Sequence, residues 1–455
     1  MTTPHLPPTP TYILRGHAAP IHALQIFNKN LRLVSGDADG WIIVWDLIFK
    51  RPVAVWKAHE GAVLEVKAFT LGARNLTEIY THGRDHKLRV WRFRRQDEES
   101  LSKTLPVDGN GIQNHSQPQP WLIHSLPVNA LNFCAFSMLF LTPNATPQHQ
   151  PNTPQENEIQ PSSALIAVPN ALNSGALDIF HLPSERRICT IPTDPAVNTG
   201  MVMAAALTRP SGSEDLYVAA AYEDGHVMVF GCRGVFSTSN PLITDEDRGG
   251  VGVGGRSKEK WKWTNLYTSR AHSQPVLSID IPPSGAYILS SSADAILVKH
   301  PIPHFGSTST TTSQPHVHVP LKSLNTKHAG QQGLRIRSDG KIFATAGWDS
   351  RVRVYSCKTM KELAVLKWHK EGCYAVAFGF WGGCFTEEGL GVNAEVRSEG
   401  EGEGDESGGA LIDIHQGEGE FSLAQVQRQR GLKVQNTHWL AGGSKDGKIS
   451  LWDIY

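Results

Sequence analysis

His59 and Asp85, or His369 and Asp446, are pairs that could do chemistry, because an imidazole oriented by a carboxylate is the general base of many hydrolytic and acyl-transfer sites. The same pair, however, recurs along the whole chain. Six histidines each open nearly one phrase: His17-AAPIHAL, His59-EGAVLEV, His124-SLPVNAL, His272-SQPVLSI, His369-KEGCYAV and, more loosely, His328-AGQQGLRI. A second phrase recurs downstream, in which an Asp at a polar turn precedes an aromatic residue by six positions, as in Asp39 to Trp45, Asp85 to Trp91, Asp224 to Phe230, Asp349 to Tyr355 and Asp446 to Trp452. A catalytic pair is needed once. Recurrence at fixed spacing makes these residues structural, and no catalytic residue is assigned.

Other strings with chemical meaning lack the context they require. Gly250-x-Gly252-x-x-Gly255 spells a dinucleotide fingerprint but has no strand before it or helix after it. His316 and His318, near His300 and His304, have no nearby carboxylate to complete a metal set. No Gly-x-Ser-x-Gly elbow or phosphate loop occurs. The expectation is a protein without cofactor or metal that is not an enzyme.

A self-similar period of about 40 to 45 residues, each unit carrying four short strands, is how a β-propeller is written. Strands such as Trp41 to Trp45 are apolar on both faces, with Trp41, Ile43 and Trp45 against Ile42 and Val44, as expected when each unit packs between two neighbours. The reading is all-β: a seven-bladed propeller forming one domain over 1–455, with blades at 16–56, 57–123, 124–192, 193–270, 271–325, 326–367 and 368–455. Blades three and four are eroded, and blade five places His300 where the aromatic belongs. A strand at 11–14 precedes the first unit, and the last unit stops after its third strand, so the former is expected to close the latter. Seven units need roughly 300 residues. The excess falls at 95–120, 141–163, 231–260, 301–320 and 381–436, whose Pro, Gly, Ser, Gln and Glu content predicts disordered insertions. All five follow the third strand of a blade or separate the first two, which puts them on one face and leaves the opposite face compact.

The Gly-His and Trp-Asp phrases resemble the WD40 repeat over nearly the whole chain. In that family the His, a Ser or Thr on the second strand, the turn Asp and the strand Trp hydrogen-bond in series. The resemblance implies such networks at His17, Ser35, Asp39 and Trp45; at His59, Thr81, Asp85 and Trp91; at His272 and Asp294; at His328, Thr345 and Asp349; and at His369, Asp446 and Trp452. Contacts to partners are expected beside the turn Asp on the compact face, at Arg84, His86, Tyr222, Glu223, Trp348 and Lys445, because an exposed turn Trp or Arg is a frequent interface anchor.

Forty-three basic residues balance 43 acidic ones. No overall field therefore draws the chain to nucleic acid or to an anionic membrane. Glu395 to Glu420 holds nine acidic residues and one basic residue, Arg397, as a solvated loop would. Six cysteines without paired spacing fit a reducing compartment. No segment reads as a membrane span or a signal peptide. The expectation is a soluble intracellular protein.

The stretch ILRGHAAPIHAL, LVSGDADGWIIVWDL, RPVAVWKAHEGAVLEV and THGRDHKLRVW, strongest over 11–93 and including Gly83-Arg84-Asp85-His86, resembles the fungal ASTRA-associated protein 1 family, which is related to an animal G-protein-beta-like WD40 protein. That resemblance implies a non-catalytic scaffold, monomeric within the multiprotein ASTRA complex. It would act with the Tel2-Tti1-Tti2 cochaperone in kinase maturation, chromatin remodelling and telomere maintenance, in the nucleus and with a cytoplasmic share left open. The alternative is a histone- or peptide-reading adaptor of another nuclear complex.

Overall fold

The computed structural model describes residues 9–71, 76–108, 118–129, 133–141, 163–237, 261–305, 319–382 and 423–454. After a short strand β1 (Tyr12–Arg15), the chain lays down four-stranded antiparallel sheets in succession. Blade one holds β2 (Ile21–Phe27), β3 (Arg32–Asp37), β4 (Trp41–Asp46) and β5 (Arg51–Lys57). Blade two holds β6 (Val63–Leu71), β7 (Leu76–Gly83), β8 (Lys87–Arg94) and β9 (Trp121–Pro127). Blade three comprises β10 (Ser137–Phe140), β11 (Ala164–Pro169), β12 (Leu177–Leu182) and β13 (Arg186–Ile191), and blade four β14 (Val202–Thr208), β15 (Leu216–Tyr222), β16 (His226–Cys232) and β17 (Trp263–Arg270). Blade five runs through β18 (Val276–Asp280), β19 (Tyr287–Ser292), β20 (Ile296–Pro301) and β21 (Lys322–Asn325). Blade six runs through β22 (Gln331–Ile336), β23 (Ile342–Gly347), β24 (Arg351–Ser356) and β25 (Glu362–Lys367). The seventh sheet takes β26 (Cys373–Phe378), β27 (Trp439–Ser444) and β28 (Lys448–Asp453), and its outer strand is β1, paired with β28 from Tyr12 opposite Leu451 to Arg15 opposite Lys448. The result is a seven-bladed propeller closed by its own first strand.

Two-sided burial explains the strand composition. Ile43 and Trp45 of β4 pack with Ala375, Trp439 and Ile449 of blade seven, while Ile42 and Val44 pack with Val63, Ile79 and Trp91 of blade two. No blade can bury both faces alone, so each depends on its neighbours around the ring. The seam between blades two and three is carried by Tyr80, Val90 and Leu126 against Ile166 and Val168, with Phe69 edge-on to Phe140 at 4.5 Å.

Three sequence expectations are corrected. His124 lies within β9, 2.6 Å from Glu185, and does not open blade three, whose first strand begins at Ser137. The segment after β8 is not wholly loop. Arg95–Glu99 forms a 3-10 turn, Leu101 packs into the core between blades one and two, and Ser102 O accepts from Val55 N (2.8 Å), covering the outer edge of blade one. The expected insertion 381–436 ends in a helix, α1 (Leu423–Asn436), seated by Val434 and by the Asn30 side chain, which donates to Gln435 O at 2.9 Å. Its polar sequence shows no apolar stripe, so periodicity could not reveal it.

Most of the expected insertions 141–163, 231–260, 301–320 and 381–436, the acidic run 395–420, the Gly250 string and the His316 pair lie outside the described residues. The strands that flank the insertions place all five on the rim of first-to-second and third-to-fourth strand connections.

Candidate docking face

The opposite rim, built from fourth-to-first and second-to-third strand connections, is held by buried hydrogen-bond relays. In blade two Trp91 Nε1 donates to Thr81 Oγ1 (3.0 Å), Thr81 lies 2.8 Å from His59 Nε2, and His59 Nδ1 reaches Asp85 (2.8 Å). With the His59 proton on Nδ1 toward the Asp85 carboxylate, Nε2 accepts the threonine proton; Arg89, 2.7 Å from the same Nδ1, directs its own N–H to Asp85 and Ala58 O. Burial alone would raise the Asp85 carboxyl, but the His59 bond and the adjacent Arg89 charge outweigh it and hold it well below the usual carboxylate range. His59 is pushed down by burial, against the pull of Asp85, and is neutral.

Blade one departs from the implied set. His17 Nδ1 reaches Asp37 (2.7 Å), Nε2 reaches Ser35 (2.7 Å), and Trp45 Nε1 donates to Ser35 (2.9 Å). The acid is therefore Asp37, not Asp39. Asp37 is fully buried at the end of β3 and also accepts the turn amides of Asp39 and Trp41, so the acid two residues later is surplus and points to solvent.

In blade five His272 contacts Ser290 (2.8 Å) and Asp294 (3.2 Å), and His300 Nε2 takes the place of the indole N–H against Ser290 (2.8 Å). An imidazole has a second nitrogen that indole lacks. Tyr267 O–H meets it at 2.9 Å, so the neutral ring is satisfied at both ends. Burial, with a smaller contribution from His272, lowers His300 to about 3.

Blade six does not form the implied set of His328, Thr345 and Asp349. His328 is exposed and 3.8 Å from Asp349, Thr345 is buried on β23, and Arg353 holds Asp349 with two bonds of 3.0 and 2.6 Å. Arg353 stands four residues after its Asp, as Arg89 does after Asp85, and that D-x-x-x-R spacing is the sequence signal for it. In blade seven His369 and Trp452 share a hydroxyl at 2.9 Å each, but it belongs to Ser450 of β28; Asp446 lies 3.6 Å from His369 Nδ1. Blade three uses amides instead: Asn129 donates to Asn170 O (2.9 Å), and Asn170 donates to Asp178 (2.9 Å).

The relays of blades two and seven and the Arg353–Asp349 pair of blade six fix the turns that carry Arg84, His86, Lys445 and Trp348. Arg84, His86, Glu223, Trp348 and Lys445 are exposed on that rim. Tyr222 is not. As the last residue of β15 its side chain alternates inward and packs, 1 % exposed, between blades three and four, so it is withdrawn as a contact residue. The Trp348 ring lies flat over Gly330, where a Cβ would sit 2.1 Å from a ring carbon, and Nε1 donates to Gln332 (2.8 Å); 48 % of the residue still faces solvent. Arg84 stacks over Phe133 at 4.2 Å, and Phe133 and Leu172 are exposed on the same rim. Sequence reasoning missed both, since they lie in the eroded third blade.

The central channel is spanned by charge. Arg335 of β22 pairs with Glu65 of β6 on the far side of the ring, Lys67 lies 3.8 Å from Glu65, and Asp280 of β18 accepts from Ile336 N (2.7 Å). Two cations face two anions there. Burial pushes the Asp280 carboxyl up against the pull of Arg335, and pushes Lys67 down. Among the described residues no group of three or more His, Cys, Asp or Glu could hold a metal, and no helix is long and apolar enough to cross a membrane.

A sequence profile described as ASTRA-associated protein 1 matches residues 10–376, and one described as WD domain, G-beta repeat matches 434–453. The chain is 63% identical over 452 residues to the ASTRA-associated protein 1 of Aspergillus niger, covering 99% of this chain and 98% of that protein. It is 34% identical to the protein of that name in Schizosaccharomyces pombe (82% of this chain, 93% of the other) and 26% identical to that in Yarrowia lipolytica (98% and 94%).

Proposed function

Because this chain belongs to the ASTRA-associated protein 1 family, we propose that it is a non-catalytic docking subunit of the ASTRA assembly that uses its compact rim to hold a partner subunit. The observation that carries this reading is the contrast between the two rims. One presents Arg84 and Lys445 on turns backed by buried relays, Trp348 on the turn held by Arg353, and Glu223 beside them, whereas the other carries every long insertion. A rigid surface loses little entropy on binding, and exposed Trp and Arg are the residue types that dominate interface energy. The partners expected are the Tel2-Tti1-Tti2 cochaperone subunits, with roles in kinase maturation, chromatin remodelling and telomere maintenance in the nucleus.

A histone-reading adaptor would use an acidic channel to take up a basic peptide. The channel charges here are already matched, Glu65 with Arg335 and Lys67, which favours the docking reading. Affinity purification with mass spectrometry from the source cell tests it. Cochaperone subunits should copurify with the native chain and fall at least tenfold with Arg84→Glu, Trp348→Ala at unchanged melting temperature. Unchanged recovery would overturn the docking face.

A further inference from the structure

The insertion rim carries a cavity unrelated to the relays. It opens between blades one and two, encloses about 200 Å³, and is walled by Phe27, Leu31, Val44 and Phe93, with Ile48 and Phe49 at its lip and Gln427 of α1 beside it. That volume is below the roughly 300–1,000 Å³ of small-molecule sites. It suits one side chain inserted from a protein segment, its apolar part set against Phe27, Leu31, Val44 and Phe93 and its edge against the polar groups of the lining.

The polar groups of the lining say what accompanies that side chain. Asp46 and Glu98 are both bonded by Arg32, and Asp46 also accepts the Ile48 and Phe49 amides, at 2.6 and 2.9 Å. Arg95, exposed at the mouth, has no ion-pair partner among the described residues. The Thr70 hydroxyl in the wall is buried without a hydrogen-bond partner. Next to the lip, Lys50 lies over the Tyr12 and Trp439 rings at 5.7 and 6.0 Å, donates to Leu47 O (3.2 Å), and feels the charge of Asp46 more than that of Lys433 of α1. Both carboxylates are occupied by Arg32, which leaves Arg95 as the cation of the lining without a counter-charge, while Phe49 is 52 % exposed and Tyr12 42 %. A buried donor without an acceptor and an unpaired guanidinium at the mouth both call for an anionic oxygen.

We propose that this cavity is a second docking site, which seats an aromatic or leucine side chain of a partner segment with a carboxylate beside it at Arg95. Charge complementarity and the size of the cavity select that occupant. The site lies on the rim opposite Trp348, so it would recruit a partner independently of the docking face.

Random dodecapeptides displayed on phage and selected against the full-length chain test this. Enriched sequences should place an aromatic residue or leucine within two positions of Asp or Glu. By fluorescence anisotropy, an enriched synthetic peptide should bind the Arg95→Glu chain at least tenfold more weakly, with its melting temperature unchanged. Thr70→Phe, which fills the cavity, should abolish binding; should that chain not fold, Arg95→Lys retaining most of the affinity that Arg95→Glu loses serves in its place. The Arg84→Glu, Trp348→Ala chain should bind the peptide as the native chain does, which separates this site from the compact rim. Absence of enrichment, enrichment of basic peptides, affinity indifferent to Arg95→Glu, or self-association that Arg95→Glu abolishes would overturn the proposal.

Discussion

Gly442 of β27 and Ser450 of β28 face each other across the seventh sheet, and the hydroxyl shared by His369 and Trp452 comes from Ser450 rather than from the second-strand position that supplies it in blades one, two and five. A Cβ on Gly442 would sit 2.9 Å from Val352 and 3.1 Å from the Ser450 hydroxyl. The donor has moved one rung across the ladder, and glycine makes room for it. Ser450→Ala leaves an imidazole and an indole N–H buried without their shared partner, and should cost about 2 kcal/mol in urea unfolding. Gly442→Ser added to Ser450→Ala should not restore it, because Val352 blocks the side chain. Full rescue would show that the two sides are interchangeable.

In blade six the same carboxylate position is held by an arginine. Arg353 is 3 % exposed and makes both bonds to Asp349, whereas His328 is exposed at 3.8 Å. Arg353→Ala should destabilise by roughly 2–3 kcal/mol and His328→Ala by less than about 0.5 kcal/mol. Equal losses would return His328 to the relay.

Stability should fall in mild acid. Burial lowers His82 to about 3, with a smaller contribution from His59, and His300 to about 3 as well. The unfolded chain takes up these protons near pH 6.5 and the folded chain does not. Stability is therefore retained above about pH 6.5 and declines as pH falls toward 3, by up to about 3 kcal/mol per site at pH 4.5. Equilibrium unfolding of His82→Leu between pH 7 and 4.5 should show a shallower decline than that of the native chain; identical slopes would mean that His82 is protonated in the folded state.

Ring closure rests on four paired residues. Leu14 of β1 is 2 % exposed and packs with Ile449 and Leu451. Leu14→Asp should release the strand, cost about 3 kcal/mol or more through an unpaired buried charge, and leave the edge of β28 open to intermolecular pairing, which light scattering would detect. A monomeric variant with native melting would show that the ring closes without β1.

Seven sheets, their order and the side on which the insertions emerge follow from the sequence, because two-sided apolar strands and turn residues are local patterns repeated at one period. The choice of atoms within each relay is a tertiary matter. Asp37 rather than Asp39, Ser450 rather than Gly442, and Arg353 rather than His328 are decided by cross-strand register and by competition among nearby groups for one acceptor, which spacing along the chain does not encode. The inward turn of Tyr222, the helix after residue 422 and the cavity beside Arg95 were equally beyond the pattern, since each depends on contacts between segments far apart in the chain.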